Sequence, residues 1–169
     1  MNQIKVSALF VVLLSLLIPS ASAQGRPVIV VMPFVVGLDA VLPYDMQQLQ
    51  AVTHAELKAR FVKQPIDIAL EAPANPPGKV YVITGEFSNW KAGSTAKRVL
   101  VGFGSGREGV DFHFTITESG KKVVDKKERI KSQFIGSAYQ GNVGQLGHPI
   151  ADKIGDAIKS AKLVPNLKQ

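Results

Sequence analysis

The chain has 169 residues, with 20 Lys and Arg against 13 Asp and Glu, and it has no cysteine. This length suits one ordinary domain and is short for two. The missing cysteine excludes disulfides, thiol chemistry and the lipid-bearing cysteine that directly follows the signal of a bacterial lipoprotein.

The N-terminus has the pattern of a secretory signal peptide. Lys5 supplies a positive start, Val6–Ile18 is a continuous apolar run, and Ala21 and Ala23 lie at the −3 and −1 positions of a cleavage site. A helix that spans a bilayer needs about 20 apolar residues, and this run is shorter. The pattern therefore predicts cleavage after Ala23 and no transmembrane anchor in the mature protein.

This prediction divides the chain into three parts. Residues 1–23 are the signal peptide, residues 24–165 form one globular domain, and residues 166–169 are a short tail. Removal of Lys5 with the signal lowers the formal charge from +7 to +6. In the periplasm or outside the cell, a basic protein meets anionic lipid, polysaccharide or cell wall more often than nucleic acid, although surplus charge also simply aids solubility.

The first part of the domain predicts a strand and a helix. Arg26–Val36 is apolar at nearly every position, as expected for a strand that is covered on both faces. Pro33 cannot donate to a sheet, so the far end of the run should leave the ladder or lie at an edge. Asp45 can cap the helix that follows, Met46–Gln64.

Period-two patterning dominates the middle of the chain. Short strands are predicted at Ile66–Leu70 and Val80–Trp90, and Val110–Thr117 alternates between apolar and polar residues. Ser119–Gly120 suits the centre of a hairpin turn. The lysine-rich segment Val123–Phe134 then returns as an edge strand.

A helix closes the chain after a second glycine-rich loop. Ile150, Ile154 and Ile158 repeat every four residues, and Pro149 suits a first helical turn. The whole pattern predicts an α+β fold, an α/β sandwich. Its sheet is mixed and largely antiparallel with about five or six strands, and two helices pack on one face.

One glycine motif fits a dinucleotide-binding pattern. Gly104, Gly106 and Gly109 match G-x-G-x-x-G, and Asp125 lies near the place of a ribose-binding acid. That chemistry needs a helix N-terminus directly after the glycines, whereas here a strand pattern follows. We therefore predict no bound nucleotide and no other cofactor, and we expect these glycines to shape a turn or a bulge.

Catalytic and metal-binding patterns are weak. His54, His113 and His148 have no short ligand spacing such as H-E-x-x-H, so solvated or capping roles are the default. No serine lies in a G-x-S-x-G or S-x-x-K frame. We expect no catalytic residues and no enzyme activity.

A basic run provides a candidate interaction surface. Lys126, Lys127 and Arg129 lie in "KKVVDKKERIK", which could contact anionic groups or could be a solvated edge strand. Trp90, the single tryptophan, could stack on a partner or pack at the margin of the sheet.

The segment "VITGEFSNWKAGSTAKRVLVGFGSGREGVDFHFTITESGKKVVDK" and the later "ADKIGDAIKSAK" resemble the DUF4410 family of bacterial exported proteins. The likeness extends over about residues 28–162 and is most specific from Val82 to Asp125. Many family members are lipoproteins or periplasmic proteins of uncharacterised function, so the resemblance implies export but brings no catalytic residues. Its candidate structural motif comprises Gly85, Arg98, Gly102, Phe103, Gly104 and Gly106.

Three functional hypotheses follow. The first is a soluble, non-enzymatic periplasmic protein that binds another envelope protein or an anionic envelope component through its sheet edge or glycine-rich loops. The alternative is a small-ligand or metal-binding protein that uses His113 or His148. An envelope hydrolase is third, because no nucleophile or acid–base pair is visible.

Overall fold

The computed structural model describes residues 25–92, 108–131 and 143–164. The segments predicted to be a signal peptide and a C-terminal tail, and most of both glycine-rich stretches, lie outside the described residues. The elements are β1 (Val28–Val31), β2 (Val35–Val36), α1 (Met46–Phe61), β3 (Asp67–Ala69), β4 (Val80–Lys91), β5 (Gly109–Glu118), β6 (Lys121–Lys131) and α2 (Val143–Ser160).

The described strands form one mixed sheet in the order β3-β1-β4-β5-β6, and β2 also pairs with β4. The pairs β1–β3, β1–β4 and β2–β4 are parallel, whereas the longer ladders β4–β5 and β5–β6 are antiparallel. Both helices contribute to the same apolar core and pack against each other. The predicted α+β fold is confirmed.

The first apolar run forms two strands where one was predicted. All four residues of β1 are buried, as a strand covered on both faces requires. The run then leaves the ladder before Pro33 and returns at Val35–Val36, which pairs with β4 further along. The break is local, because proline has no N–H for the ladder and Phe34 turns into the core.

Helix α1 begins as the sequence predicts. The Asp45 side chain accepts hydrogen bonds from the backbone N–H groups of Gln47 and Gln48, at 2.8 and 3.1 Å. Such a cap satisfies two of the four unpaired donors at a helix start. The helix ends at Phe61, a few residues earlier than predicted. Its buried stripe repeats every four residues: Leu49, Thr53, Leu57 and Phe61.

Helix α2 begins earlier than predicted. The prediction that Pro149 lies in its first turn is wrong, because the helix starts at Val143 and contains Pro149. Leu146 is fully buried, four residues before the equally buried Ile150. Packing of this longer apolar stripe compensates for the N–H that Pro149 does not supply. Within the described ranges, neither helix is both long enough and apolar enough to cross a bilayer.

Arg60 joins the two helices through a close contact and two ion pairs. The stem of Arg60 in α1 lies over Gly155 in α2, where a Cβ would come within 2.6 Å of its Nε. The guanidinium donates to the carboxylates of Asp152 and Asp156 on the next turns, at 2.6 Å in the case of Asp156. Gly155 is therefore required for this close approach.

The β5–β6 hairpin has the predicted turn and one irregularity. Ser119 and Gly120 both have positive φ, 50° and 77°, as a type I′ turn requires. The register shifts where Ile116 pairs with Val124 but Thr117 pairs with Lys122. Val123 is thus one extra residue on β6, a β-bulge.

Candidate functional site

Two strands at the margins of the described sheet, β6 and β2, have exposed surfaces of opposite character. We call strand β6 the basic edge. We call a second group the apolar edge; it consists of the exposed side chains of Met32, Val35, Val36, Leu38 and Val41 on and beside β2. Of the predicted interaction residues, Lys126, Lys127 and Arg129 lie on the basic edge and Trp90 lies in β4, whereas no residue of the apolar edge was predicted.

The predicted interaction residues do not share one face of the basic edge. Lys126 pairs with Phe114, whose side chain is in the core, so it lies on the helix-covered side of the sheet. Lys127 and Arg129 pair with His113 and Asp111 and lie on the opposite, open side.

Arg129 is a structural clamp. Its guanidinium donates to the Asp111 carboxylate at 2.9 Å, the Asn89 carbonyl at 2.8 Å and the Gly109 carbonyl at 3.0 Å. It therefore joins the ends of β4, β5 and β6. The Arg129 hydrogen bond is the main reason why the pKa of Asp111 is lowered, with smaller help from Asn89 and Lys127.

Three lysines of the basic edge remain without a charged partner. No described carboxylate pairs with Lys121, Lys126 or Lys131, whereas Lys122 bonds Asp125 and Lys127 approaches Asp111 at 3.9 Å. The free cations of this edge are therefore these three, and only Lys126 belongs to the predicted set.

Trp90 packs at the margin of the core. A register shift follows Ser88, and Asn89 has a φ of 50°. Trp90 is partly buried and meets Tyr44 edge-on, with ring centroids 5.6 Å apart. The Tyr44 hydroxyl donates to the buried Glu108 carboxylate. Burial, and then this bond, raises the pKa of Tyr44.

The open face carries a polar network. His113 Nε2 and Lys122 Nζ each lie 2.6 Å from an oxygen of Asp125, and the hydroxyls of Thr84 and Thr115 lie 2.8 Å apart. The Lys122 bond first, and then the His113 bond, lowers the pKa of Asp125.

The histidines suggested as ligands are not brought together. His113 lies on the open face of the sheet, whereas His148 in α2 contacts Glu56 of α1 at 3.1 Å. His54 lies in α1, and burial is the main reason why its pKa is lowered. Among the described side chains, no three His, Asp or Glu residues are grouped as metal ligands would be.

The glycine motif leads into a strand, as predicted. The residues from Gly109 onward form β5, so the helix N-terminus that a dinucleotide requires does not follow. Gly85 lies buried in β4 against Phe112 and Phe34. The other motif residues lie outside the described residues: Arg98, Gly102, Phe103, Gly104 and Gly106.

The apolar edge is exposed but firmly held. Val35 is 57% exposed, Val41 85%, and Leu38 fully. The Gln50 side chain accepts from the Phe34 N–H at 3.3 Å and donates to the carbonyls before it. β2 has β4 on one side and no described strand on the other.

Acidic groups surround the apolar edge. Asp39 lies within it and Glu86 pairs with Val35, and neither has an ion-pair partner among the described residues. No Lys or Arg occurs between Arg26 and Lys58, although the chain is basic. This gap, together with apolar residues in a loop, is the signal that could have identified the edge from sequence.

A comparison with protein families finds a match over the middle of the chain. The family model described as "Domain of unknown function (DUF4410)" matches residues 44–136. No curated protein matches the chain.

Among solved structures, the chain is remotely similar to a PelC dodecamer from Paraburkholderia phytofirmans, with 15% identity, 81% of this chain and 86% of that chain covered, and a TM-score of 0.48. The hypothetical protein CT253 from Chlamydia trachomatis has 10% identity, coverages of 80% and 99%, and a TM-score of 0.46. Protein XCC0632 from Xanthomonas campestris, of the DUF330 family, has 9% identity, coverages of 83% and 91%, and a TM-score of 0.45.

Proposed function

Because the chain belongs to the DUF4410 family, whose description assigns no activity, we propose a function from its surface. We propose that it is a non-enzymatic, exported protein of the periplasm that binds another protein of the cell envelope through the apolar edge. The observation that carries this proposal is the exposure of large apolar side chains on a segment that the fold holds in place.

Preorganisation favours a binding role for this segment. Phe34 is buried against the rings of Phe87 and Phe112, with centroids 5.8 and 5.2 Å away. The Gly37 N–H donates to the Phe87 carbonyl at 2.8 Å, and Gln50 holds the residues before it. A segment already ordered loses little conformational entropy on binding, and contiguous exposed apolar surface is typical of interaction sites.

The charges at the rim of the apolar edge indicate which kind of protein surface would bind there. Among the described residues, the carboxylates of Asp39 and Glu86 at the rim of the apolar edge have no ion-pair partner. A complementary protein surface has an apolar centre with lysine or arginine around it, since opposite charges at the rim guide association and like charges oppose it.

The two histidines that sequence analysis suggested as ligands take part in surface contacts instead. His113 and His148 each pair with an exposed carboxylate, that of Asp125 and that of Glu56. These pairs link neighbouring elements across a solvated surface, as structural ion pairs do.

Export is supported by the N-terminal pattern. N-terminal sequencing of the protein that osmotic shock releases from cells tests it, and Gln24 is expected as the first residue.

Site-specific photocrosslinking in cells tests the binding site. A benzophenone amino acid at Leu38 should give a defined protein adduct. The same probe at Val62, an exposed apolar residue at the end of α1, is the matched control and should give none. Equal labelling at both positions, or no adduct at Leu38, would contradict the proposal.

A further inference from the structure

We propose that the partner at the apolar edge is a second copy of this chain, which presents its basic edge. This inference rests on the proposed function, because it takes the apolar edge as a protein-binding surface and identifies the occupant. Each copy has one edge of each kind, so the contact joins unlike surfaces and can repeat from copy to copy.

The unpaired charges of the two edges are complementary. The apolar edge has the free carboxylates of Asp39 and Glu86, and the basic edge has the free ammonium groups of Lys121, Lys126 and Lys131. A contact between two apolar edges would instead bring four carboxylates together, which like-charge repulsion opposes.

The basic edge also has apolar surface to offer. Val123, the bulge residue, directly follows Lys122 and is 38% exposed. Lysine stems can cover apolar surface while their ammonium groups reach outward. Leu38 and Val41 of one copy would therefore contact Val123 and the lysine stems of the next, with the ammonium groups directed to the acidic rim.

Sedimentation velocity with two charge-swapped variants tests this arrangement. The protein is purified in the form that cells produce after processing. Its sedimentation is measured at about 10 to 100 µM, where complexes with micromolar dissociation constants form. The wild type should self-associate. Asp39→Lys with Glu86→Lys should be monomeric, and so should Lys126→Glu with Lys131→Glu, each with binding at least about tenfold weaker.

Mixing the two variants is the decisive step. Each swapped edge then meets the opposite charge on the other variant, so the mixture should associate again in alternation. Lys63→Glu with Lys159→Glu changes the net charge by the same amount as the Lys126 and Lys131 swap, at residues outside both edges, and should still associate. Circular dichroism melts check that every variant stays folded.

The outcomes separate the two proposals. A monomeric wild type, association that neither swap affects, or a mixture that stays monomeric would each overturn the second-copy inference. If the Leu38 probe nevertheless crosslinks to a different protein, the proposed function stands while this inference fails. If Leu38 gives no adduct, the proposed function itself fails.

Discussion

Substitution of Gly85 by alanine should destabilise the protein through a cluster of four phenylalanine rings. A Cβ at this position would lie 2.5 Å from Cε2 of Phe112 and 2.9 Å from Cδ1 of Phe34. Phe112 is also stacked on Phe87 and Phe114, at 4.8 and 5.4 Å between centroids. The rings must move together, because all of them are buried.

The magnitude follows from two opposing effects. Overpacking of a well-filled core costs about 1–3 kcal/mol, while removal of a flexible glycine from a strand returns about 0.5–1 kcal/mol. We expect a net loss of about 1–2 kcal/mol for Gly85→Ala. This loss can be measured by urea unfolding, with the fluorescence of Trp90 as the signal. The urea concentration at the midpoint should fall, while the dependence of the unfolding free energy on urea stays unchanged.

A second substitution separates the ring clash from other causes. Phe112→Leu removes the two ring atoms nearest to the new methyl group, so Gly85→Ala should cost less in that background by about 0.5 kcal/mol or more. A Gly85→Ala protein as stable as the wild type, or costs that simply add in the double variant, would refute the reasoning.

Four further substitutions, one of them with a compensating second change, test the polar interactions. Arg129→Lys keeps the positive charge but loses the forked hydrogen bonds of the guanidinium, and should lower the free energy of unfolding by about 1–3 kcal/mol. Asp111→Asn should flatten the loss of stability below about pH 4, because a carboxylate whose pKa is lowered in the folded state stabilises the protein only above that range. His54→Gln should flatten the pH dependence of the melting temperature below about pH 6.5, where protonation of the partly buried imidazole opposes folding; an unchanged pH profile would contradict this. Tyr44→Phe leaves the buried Glu108 carboxylate without its donor, which should cost about 1–3 kcal/mol, and Glu108→Met in the same chain should restore most of the loss in a thermal melt.

Features that depend on neighbouring residues were predictable from the sequence. The alternation of Val110–Thr117, the turn at Ser119–Gly120 and the cap at Asp45 each follow from local geometry, and the structure has all three. Strand partners were not predictable in this way. Periodicity does not say that β1 lies between β3 and β4, because the pairing depends on distant segments.

Arg129 shows why the candidate site was harder to predict. A two-residue turn without irregularity would pair Asp111 with Glu128, and it would place Lys127 opposite the buried Phe112. The bulge at Val123 shifts this register by one residue and brings Arg129 opposite Asp111. Because a one-residue slip moves every side chain to the other face, the role of Arg129 depended on a bulge that the residue pattern does not reveal.

The same bulge makes one end of the hairpin tolerant of a change in chain length. If Val123 were deleted, Ile116 could still pair with Val124 and Thr117 with Lys122, so the ladder would close without irregularity. A deletion in the middle of β5 has no such compensation and would turn the core residues beyond it toward solvent. The hairpin can therefore lose one residue beside the turn while it keeps the same inward-facing side chains.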